Sequence, residues 1–173
     1  YREYVDEALV PDALSLADLH PHIVVTRTFS KAHGLAALRI GYAISNPAFA
    51  AVLERTRLTF NVNLYAQAAA AQAIADVAHV ERVRAANASE RARLTAGLKE
   101  FGLFVFPSQG NFVLVDFGRP AKPIEDALLK RGVIVRPMGG YGLPTCLRIT
   151  VGLPGENEEL LTAVAAVLAE DLA

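Results

Sequence analysis

Residues 28–42 read Thr-Phe-Ser-Lys-Ala-His-Gly-Leu-Ala-Ala-Leu-Arg-Ile-Gly-Tyr, and a short apolar run that predicts a strand precedes them. We therefore expect Lys31 in a turn that directly follows this strand. Partial burial of a lysine among small and apolar neighbours favours the neutral amine, which can attack a carbonyl and form a Schiff base. Arg39 would add a permanent positive charge for a phosphate, and Thr28 and Ser30 would add hydroxyl donors beside it. The stretch predicts a nucleophilic lysine next to an anion site.

This stretch resembles the lysine motif of fold-type I aminotransferases that use pyridoxal 5′-phosphate (PLP), in particular the histidinol-phosphate aminotransferase family. The family pattern is S-K-x-x-G-L-A-x-x-R-x-G-Y, and residues 30–42 match it throughout. The resemblance implies that Lys31 forms the internal aldimine with PLP and moves the proton during catalysis. It also implies that Arg39 binds the cofactor phosphate, with Thr28 and Ser30 as further cofactor contacts. The Ser-Lys pair alone leaves open the alternative of a solvated lysine at a turn.

The first residues resemble a second motif of the same family. Residues 1–4 read Tyr-Arg-Glu-Tyr and match the end of the pattern D-E-A-Y-x-E-[FY]. The resemblance implies that Tyr1 hydrogen-bonds the 3′ oxygen of PLP and that an aspartate upstream pairs with the pyridine nitrogen. The chain begins with Tyr1, and its only methionine is Met138. We therefore expect these residues to be the C-terminal half of a longer enzyme.

Three residues near the end of the chain are candidates for substrate binding. Arg136 and Arg148 lie in apolar segments, where an unpaired charge is costly, so each needs an internal carboxylate or a ligand anion. Residues 146–152 resemble the family pattern L-R-[IV]-[TS]-[VI]-G, which implies that Arg148 binds the substrate α-carboxylate. The resemblance also implies that Arg136 is a second substrate arginine and that Asn111 lies near the substrate entrance. His33, beside the lysine, is expected to have a packing or loop role.

The hydrophobic pattern predicts an α/β chain in three segments. They are the C-terminal part of a large PLP-binding domain (1–64), a helical spine between domains (65–100) and a small α+β domain (101–173). The alanine-rich spine is expected to break near residues 76–79 and to carry its arginines on a solvated face. Strands are expected at 23–27 (directly before the Lys31 stretch), 40–45, 103–106, 110–117, 133–137 and 146–151. Besides the spine, helices are expected at 47–58, 123–130 and 155–171.

The composition favours a globular protein and argues against several other classes. Of the 173 residues, 53% are hydrophobic and 20% are charged, so a packed core is expected. The formal net charge is −1, which does not favour nucleic acid as a partner. No apolar run reaches the length of about 18 residues that a membrane span needs. Cys146 is the only cysteine, which fits a reducing compartment, and we expect a cytoplasmic location and no bound metal.

The resemblance implies transamination between histidinol phosphate and 2-oxoglutarate in histidine biosynthesis. It implies PLP as the cofactor, a small-molecule amino donor, a 2-oxo acid as acceptor, and a homodimer. Three related alternatives stay open at this point. They are an aminotransferase for aromatic amino acids such as phenylalanine, a PLP-dependent decarboxylase of the same fold, and a PLP-binding effector domain of a transcriptional regulator.

Overall fold

Helices and antiparallel strands are interspersed along the chain in the computed structural model, which describes residues 1–170 apart from the side chain of Glu7. In order they are α1 (Ala13–Leu19), β1 (Val25–Thr28), β2 (Gly41–Ile44), α2 (Pro47–Thr56), α3 (Leu64–Ala75), α4 (Val77–Glu100), β3 (Phe104–Val105), β4 (Phe112–Asp116), α5 (Ala121–Lys130), β5 (Arg136–Pro137), β6 (Cys146–Thr150) and α6 (Pro154–Glu170). The chain forms two units, Tyr1–Arg84 and Ala85–Ala173, with the boundary inside α4.

An antiparallel pair of strands, β1 and β2, positions the lysine stretch in the first unit. Thr28 at the end of β1 is opposite Gly41 at the start of β2. The N–H of Phe29 donates to the carbonyl of Ile40 at 3.2 Å, which extends the pairing into the connection. A Cβ on Gly41 would lie 2.6 Å from the backbone oxygen of Arg27, so the strands can approach this closely only with glycine at this position.

The second unit is built on an antiparallel sheet with the strand order β3-β4-β6-β5. Alternate residues of β4 are buried, as expected for a strand with one face on a core. Side chains from this face pack with those of α4, α5 and α6, and the buried cluster includes Leu94, Leu98, Val113, Val115, Ile124, Leu128, Leu147, Ile149, Leu160, Val164 and Val167. Because side chains alternate along a strand, Arg148 in β6 points to the opposite face of the sheet from Leu147 and Ile149.

The elements confirm most of the sequence predictions, including the helix break, which occurs at Asp76 between α3 and α4. The predicted start of α5 at Pro123 is wrong, because the helix begins at Ala121 and includes the proline in its first turn, where no intrahelical N–H bond is lost. The strand predicted over 133–137 shortens to β5. The reason is that the N–H of Val133 donates to the carbonyl of Leu128 and closes the end of α5.

Two of the sequence predictions concern domain boundaries and the end of the last helix. The three-segment division, with boundaries after residues 64 and 100, stays a prediction. The final helix was predicted to end at residue 171, which lies outside the described residues, and α6 is described to Glu170.

Candidate active site

Lys31 lies in the connection between β1 and β2, in a turn that its neighbours hold in place. The N–H of Gly34 donates to the carbonyl of Lys31 at 2.8 Å, and the N–H of Leu35 donates to the carbonyl of Phe29 at 2.9 Å. Phe29 and Ala32 are buried, with 4% and 1% of their surface exposed, whereas Lys31 itself is exposed. The expected partial burial of Lys31 is therefore wrong. The apolar neighbours anchor the backbone of the turn and leave the amine accessible.

Tyr1 contacts Lys31 although the two residues lie 30 positions apart in the chain. The Nζ atom of Lys31 lies 5.4 Å from the centre of the Tyr1 ring, which is the range of a cation–π contact. The carbonyl of Tyr1 accepts a hydrogen bond from the N–H of Tyr4 at 3.1 Å, and Tyr4 is buried. Burial raises the pKa of the Tyr4 hydroxyl, and the negative charge of the nearby Glu3 carboxylate raises this pKa further. Tyr4 therefore anchors the short turn that carries Tyr1.

The other predicted cofactor residues lie in the same hairpin. The Oγ1 atom of Thr28 accepts a hydrogen bond from the N–H of Ser30 at 3.1 Å. Arg39 has a left-handed backbone (φ 51°), and its Nη1 donates to the carbonyl of Ala36 at 2.7 Å. Within residues 1–170, neither the Ser30 hydroxyl nor the Lys31 amine has a hydrogen-bond or ion-pair partner. This hairpin therefore presents an amine, a hydroxyl and a guanidinium that can bind an anionic ligand.

The predicted substrate arginines lie together in the second unit. Arg136 in β5 and Arg148 in β6 are direct partners across the antiparallel pair. The Nη2 atom of Arg136 donates to the hydroxyl of Tyr141 at 3.2 Å, and the guanidinium of Arg148 lies 5.5 Å from the centre of the Phe112 ring. No carboxylate in the described part of the chain pairs with either arginine. Each arginine was expected to pair either with an internal carboxylate or with a ligand anion. The arrangement favours a ligand anion.

Asn111 lies directly before β4, where backbone and side-chain contacts hold its loop. Its carbonyl accepts the N–H of Val151 at 2.9 Å. The neighbouring carbonyl of Gly110 accepts from Nδ2 of the buried Asn87 at 3.2 Å and from Nη1 of Arg91 at 3.0 Å. Burial lowers the pKa of the Arg91 guanidinium below its usual range. Arg91 is thus an exception to the predicted solvated face, and it orders the loop that carries Asn111.

Two histidines contact the Lys31 turn, and sequence reasoning assigned a functional role to neither. The ring of His33 lies 5.1 Å from that of Phe29, and its Nε2 atom lies 3.8 Å from Oε1 of Glu3. The predicted packing role of His33 agrees with these contacts. The Nε2 atom of His79 lies 3.2 Å from the carbonyl of Ala32, which is 47 residues away in the sequence. No local pattern around His79 could have indicated this long-range contact.

Comparison with known proteins places these residues in an established family. The family model "Aminotransferase class I and II" matches residues 1–166. The chain is 50% identical over 169 residues to histidinol-phosphate aminotransferase 2 of Pseudomonas fluorescens, with 98% of this chain and 46% of the relative covered. It is 51% identical over 169 residues to the histidinol-phosphate aminotransferase of an Anaeromyxobacter species, with 97% and 46% covered. The chain spans about half the length of the curated relatives it matches.

A solved structure confirms the predicted α/β fold class of fold-type I aminotransferases. The similar structure is the histidinol-phosphate aminotransferase of Sinorhizobium meliloti, solved in complex with pyridoxal-5′-phosphate. The match covers all of this chain and 48% of the S. meliloti chain, with a TM-score of 0.91 and 35% sequence identity. Among the described residues, no helix combines the length and the apolar character that crossing a membrane requires. With a family model matched over nearly its whole length, the chain belongs to the class I and II aminotransferases.

Proposed function

We propose that this chain carries part of the active site of a PLP-dependent histidinol-phosphate aminotransferase. The reaction converts histidinol phosphate and 2-oxoglutarate to imidazole-acetol phosphate and glutamate, in histidine biosynthesis. Two histidinol-phosphate aminotransferases that are 50% and 51% identical to this chain support the proposal. The similarity to the S. meliloti protein solved with PLP supports it as well. The observation that carries it is the exposed amine of Lys31 in a turn with the full family motif. Among residues 1–170 this amine contacts the Tyr1 ring and has no hydrogen-bond or ion-pair partner.

The residues of the hairpin fit PLP by the chemistry of their donors. A cofactor with an aldehyde, a phosphate and a phenolic oxygen needs one free amine and several hydrogen-bond donors. In the part of the chain that the structure describes, the Lys31 amine and the Ser30 hydroxyl are not used by other residues. A guanidinium has five N–H donors, and Arg39 uses its Nη1 group for the Ala36 carbonyl, which leaves others for a phosphate.

Each of these residues has a distinct role in the proposed site. Arg39, Thr28 and Ser30 would hold the phosphate, and the hydroxyl of Tyr1 would hold the 3′ oxygen. When bound, PLP supplies an electron sink for the negative charge that develops at Cα of the amino donor. The Nζ atom of Lys31 takes up the proton that leaves this Cα and delivers it to complete the transfer. The accessible position of the amine supports this role.

Arg148 and Arg136 would bind the anionic groups of the two substrates, with Asn111 near the entrance. Guanidinium groups match both carboxylate and phosphate, so a pair of them suits a site that receives histidinol phosphate and 2-oxoglutarate in turn. The absence of a carboxylate partner for either arginine within residues 1–170 supports this assignment.

We also propose a homodimer that acts in the cytoplasm. Large apolar side chains of the first unit are exposed in the isolated chain, including Leu58 (78%), Phe60 (92%) and Tyr65 (82%). Several large apolar side chains exposed close together in the sequence are typical of a surface that another protein segment covers. The biosynthetic role of the curated relatives supports the cytoplasmic location.

The experiment that tests the function uses the full-length protein, with formation of glutamate from 2-oxoglutarate as the readout. We expect histidinol phosphate to be the preferred donor by kcat/KM, with phenylalanine a poor one. Lys31→Ala is expected to lower kcat by roughly 10³-fold or more, since general acid–base and covalent contributions are both removed. Lys99→Ala is the matched control, because Lys99 is exposed at the end of α4. A preference for phenylalanine would contradict the proposed substrate, and full activity of Lys31→Ala would contradict the mechanism.

A further inference from the structure

A hydrogen bond from helix α4 reaches the backbone carbonyl of Ala32, the residue that follows Lys31. The Nε2 atom of His79 lies 3.2 Å from the carbonyl oxygen of Ala32. A carbonyl can only accept, so Nε2 must carry the hydrogen and His79 must be the donor. The bond joins two segments that are 47 residues apart, both within the first unit.

His79 is itself held in a fixed place. It lies in the first turn of α4, and its backbone N–H donates to Oδ1 of Asp76 at 3.0 Å. Asp76 thus acts as an N-terminal cap, which removes the fraying expected of an uncapped helix end. The imidazole therefore extends from an ordered helix start toward the lysine turn.

The Ala32 carbonyl, which accepts this hydrogen bond, belongs to the same turn as Lys31. Ala32 is almost completely buried, so its peptide has little freedom to reorient. The carbonyl of Lys31 accepts the N–H of Gly34, so the peptides on both sides of Ala32 belong to one hydrogen-bonded turn. Because the backbone sets the direction of the Cα–Cβ bond, fixing this turn fixes the point and the direction from which the Lys31 side chain starts.

We propose that His79 is a positioning residue for Lys31, acting through its Nε2–H hydrogen bond to the Ala32 carbonyl. The inference rests on the proposed function, since it assigns His79 a role in aiming the amine that this function requires. His79 is assigned no contact with substrate or cofactor. Its contribution is to keep the Lys31 turn closed.

The first readout needs neither cofactor nor turnover. Amide hydrogen exchange at Gly34 and Leu35, measured on the cofactor-free full-length protein, reports opening of the turn. For His79→Leu, which cannot donate, we expect exchange at both amides about 3- to 10-fold faster, the factor that corresponds to one lost hydrogen bond. For His79→Gln, whose amide can replace Nε2 as donor, we expect exchange close to that of the parent protein. The amide of Gly102, which donates to the Lys99 carbonyl in the second unit, serves as an internal reference.

The second readout is the pH titration of the cofactor absorption band in the loaded full-length protein. We expect His79→Leu to shift the midpoint of this titration, because the amine is no longer aimed as before, and His79→Gln to restore it. His22→Leu is the control, since His22 is exposed before β1. Unchanged exchange in His79→Leu, or equal effects of the leucine and glutamine variants on both readouts, would overturn the proposal. A parent protein without any cofactor band would contradict the proposed function instead, while the exchange experiment would still test the hydrogen bond.

Discussion

Arg136 and Arg148 are direct cross-strand partners on β5 and β6, which places two positive charges side by side on one sheet. Like charges in this arrangement destabilise a sheet by roughly 0.2–1 kcal/mol. No carboxylate among residues 1–170 compensates either of them. Tyr141 contacts Arg136 through both its hydroxyl and its ring, and Phe112 lies beside Arg148, so each guanidinium is oriented without being neutralised. Two guanidinium groups that are not neutralised can together bind an anion.

This arrangement predicts opposite effects on activity and on stability. Arg148→Gln should lower kcat/KM for the amino donor by roughly 10- to 150-fold, because a charge-assisted hydrogen bond to the substrate is lost. Arg136→Gln should raise the free energy of unfolding of the substrate-free protein by up to about 1 kcal/mol, because it relieves the repulsion. Steady-state kinetics and denaturant unfolding of the full-length protein measure the two effects. Arg82→Gln, on the exposed part of α4, should change neither, and an unaltered kcat/KM in Arg148→Gln would contradict its role.

Gly41 is predicted to be essential for the β1–β2 pairing. Gly41→Ala should lower the free energy of unfolding by roughly 1–3 kcal/mol, since the new Cβ would lie 2.6 Å from the Arg27 carbonyl and force the strands apart. Gly155→Ala is the matched control, because nothing lies within 4 Å of a Cβ there and the residue is in α6. That variant should be neutral or slightly stabilising. Equal stability of the two alanine variants would show that the close approach at Gly41 is unimportant.

Acid stability is predicted to depend on Glu90. Hydrogen bonds from Arg93 and from Asn157 lower the pKa of the Glu90 carboxyl below its ordinary value of 4.5. The folded-state pKa is depressed, so the ionised carboxylate contributes stability that is present above about pH 4.5 and is lost as the pH falls through the folded-state pKa. Glu90→Gln should therefore destabilise the full-length protein at pH 7, and the difference from the parent should shrink on acidification.

Urea unfolding at pH 7 and at several acidic pH values measures this dependence. Glu81→Gln provides a comparison, because Glu81 forms an exposed pair with Arg84 at 3.6 Å on the same helix, a kind of contact worth little. A Glu90→Gln variant that is destabilised by the same amount at every pH would exclude the ionised carboxylate as the source of the effect.

The local features of the fold could be predicted from the sequence because their causes are local. Residues 28–42 indicated the turn that carries Lys31, and the glycine in the motif is explained by the close approach of β2 to β1. The apolar run within residues 110–117 predicted β4, and the helix break expected near residues 76–79 occurs at Asp76. In each case the deciding residues are neighbours in the chain.

Features that depend on distant residues could not be predicted. The register that pairs Arg136 with Arg148 depends on how two strands dock, and the bond from Arg91 to the Gly110 carbonyl spans 19 residues. The exposure of Lys31 was mispredicted because its small neighbours indicated burial, whereas the backbone directs only Phe29 and Ala32 inward. The contact of His79 with the Ala32 carbonyl became visible only with the packing of α4 in the first unit.

We propose the Lys31 amine as the group that binds PLP covalently. To test this directly, the full-length protein is loaded with PLP and then treated with borohydride, which makes a lysine–cofactor bond permanent. Peptide mass spectrometry then locates the added mass. We predict that the mass lies on the peptide containing Lys31 and that Lys31→Ala removes it. Addition at Lys99, Lys122 or Lys130, or no covalent addition at all, would contradict the account.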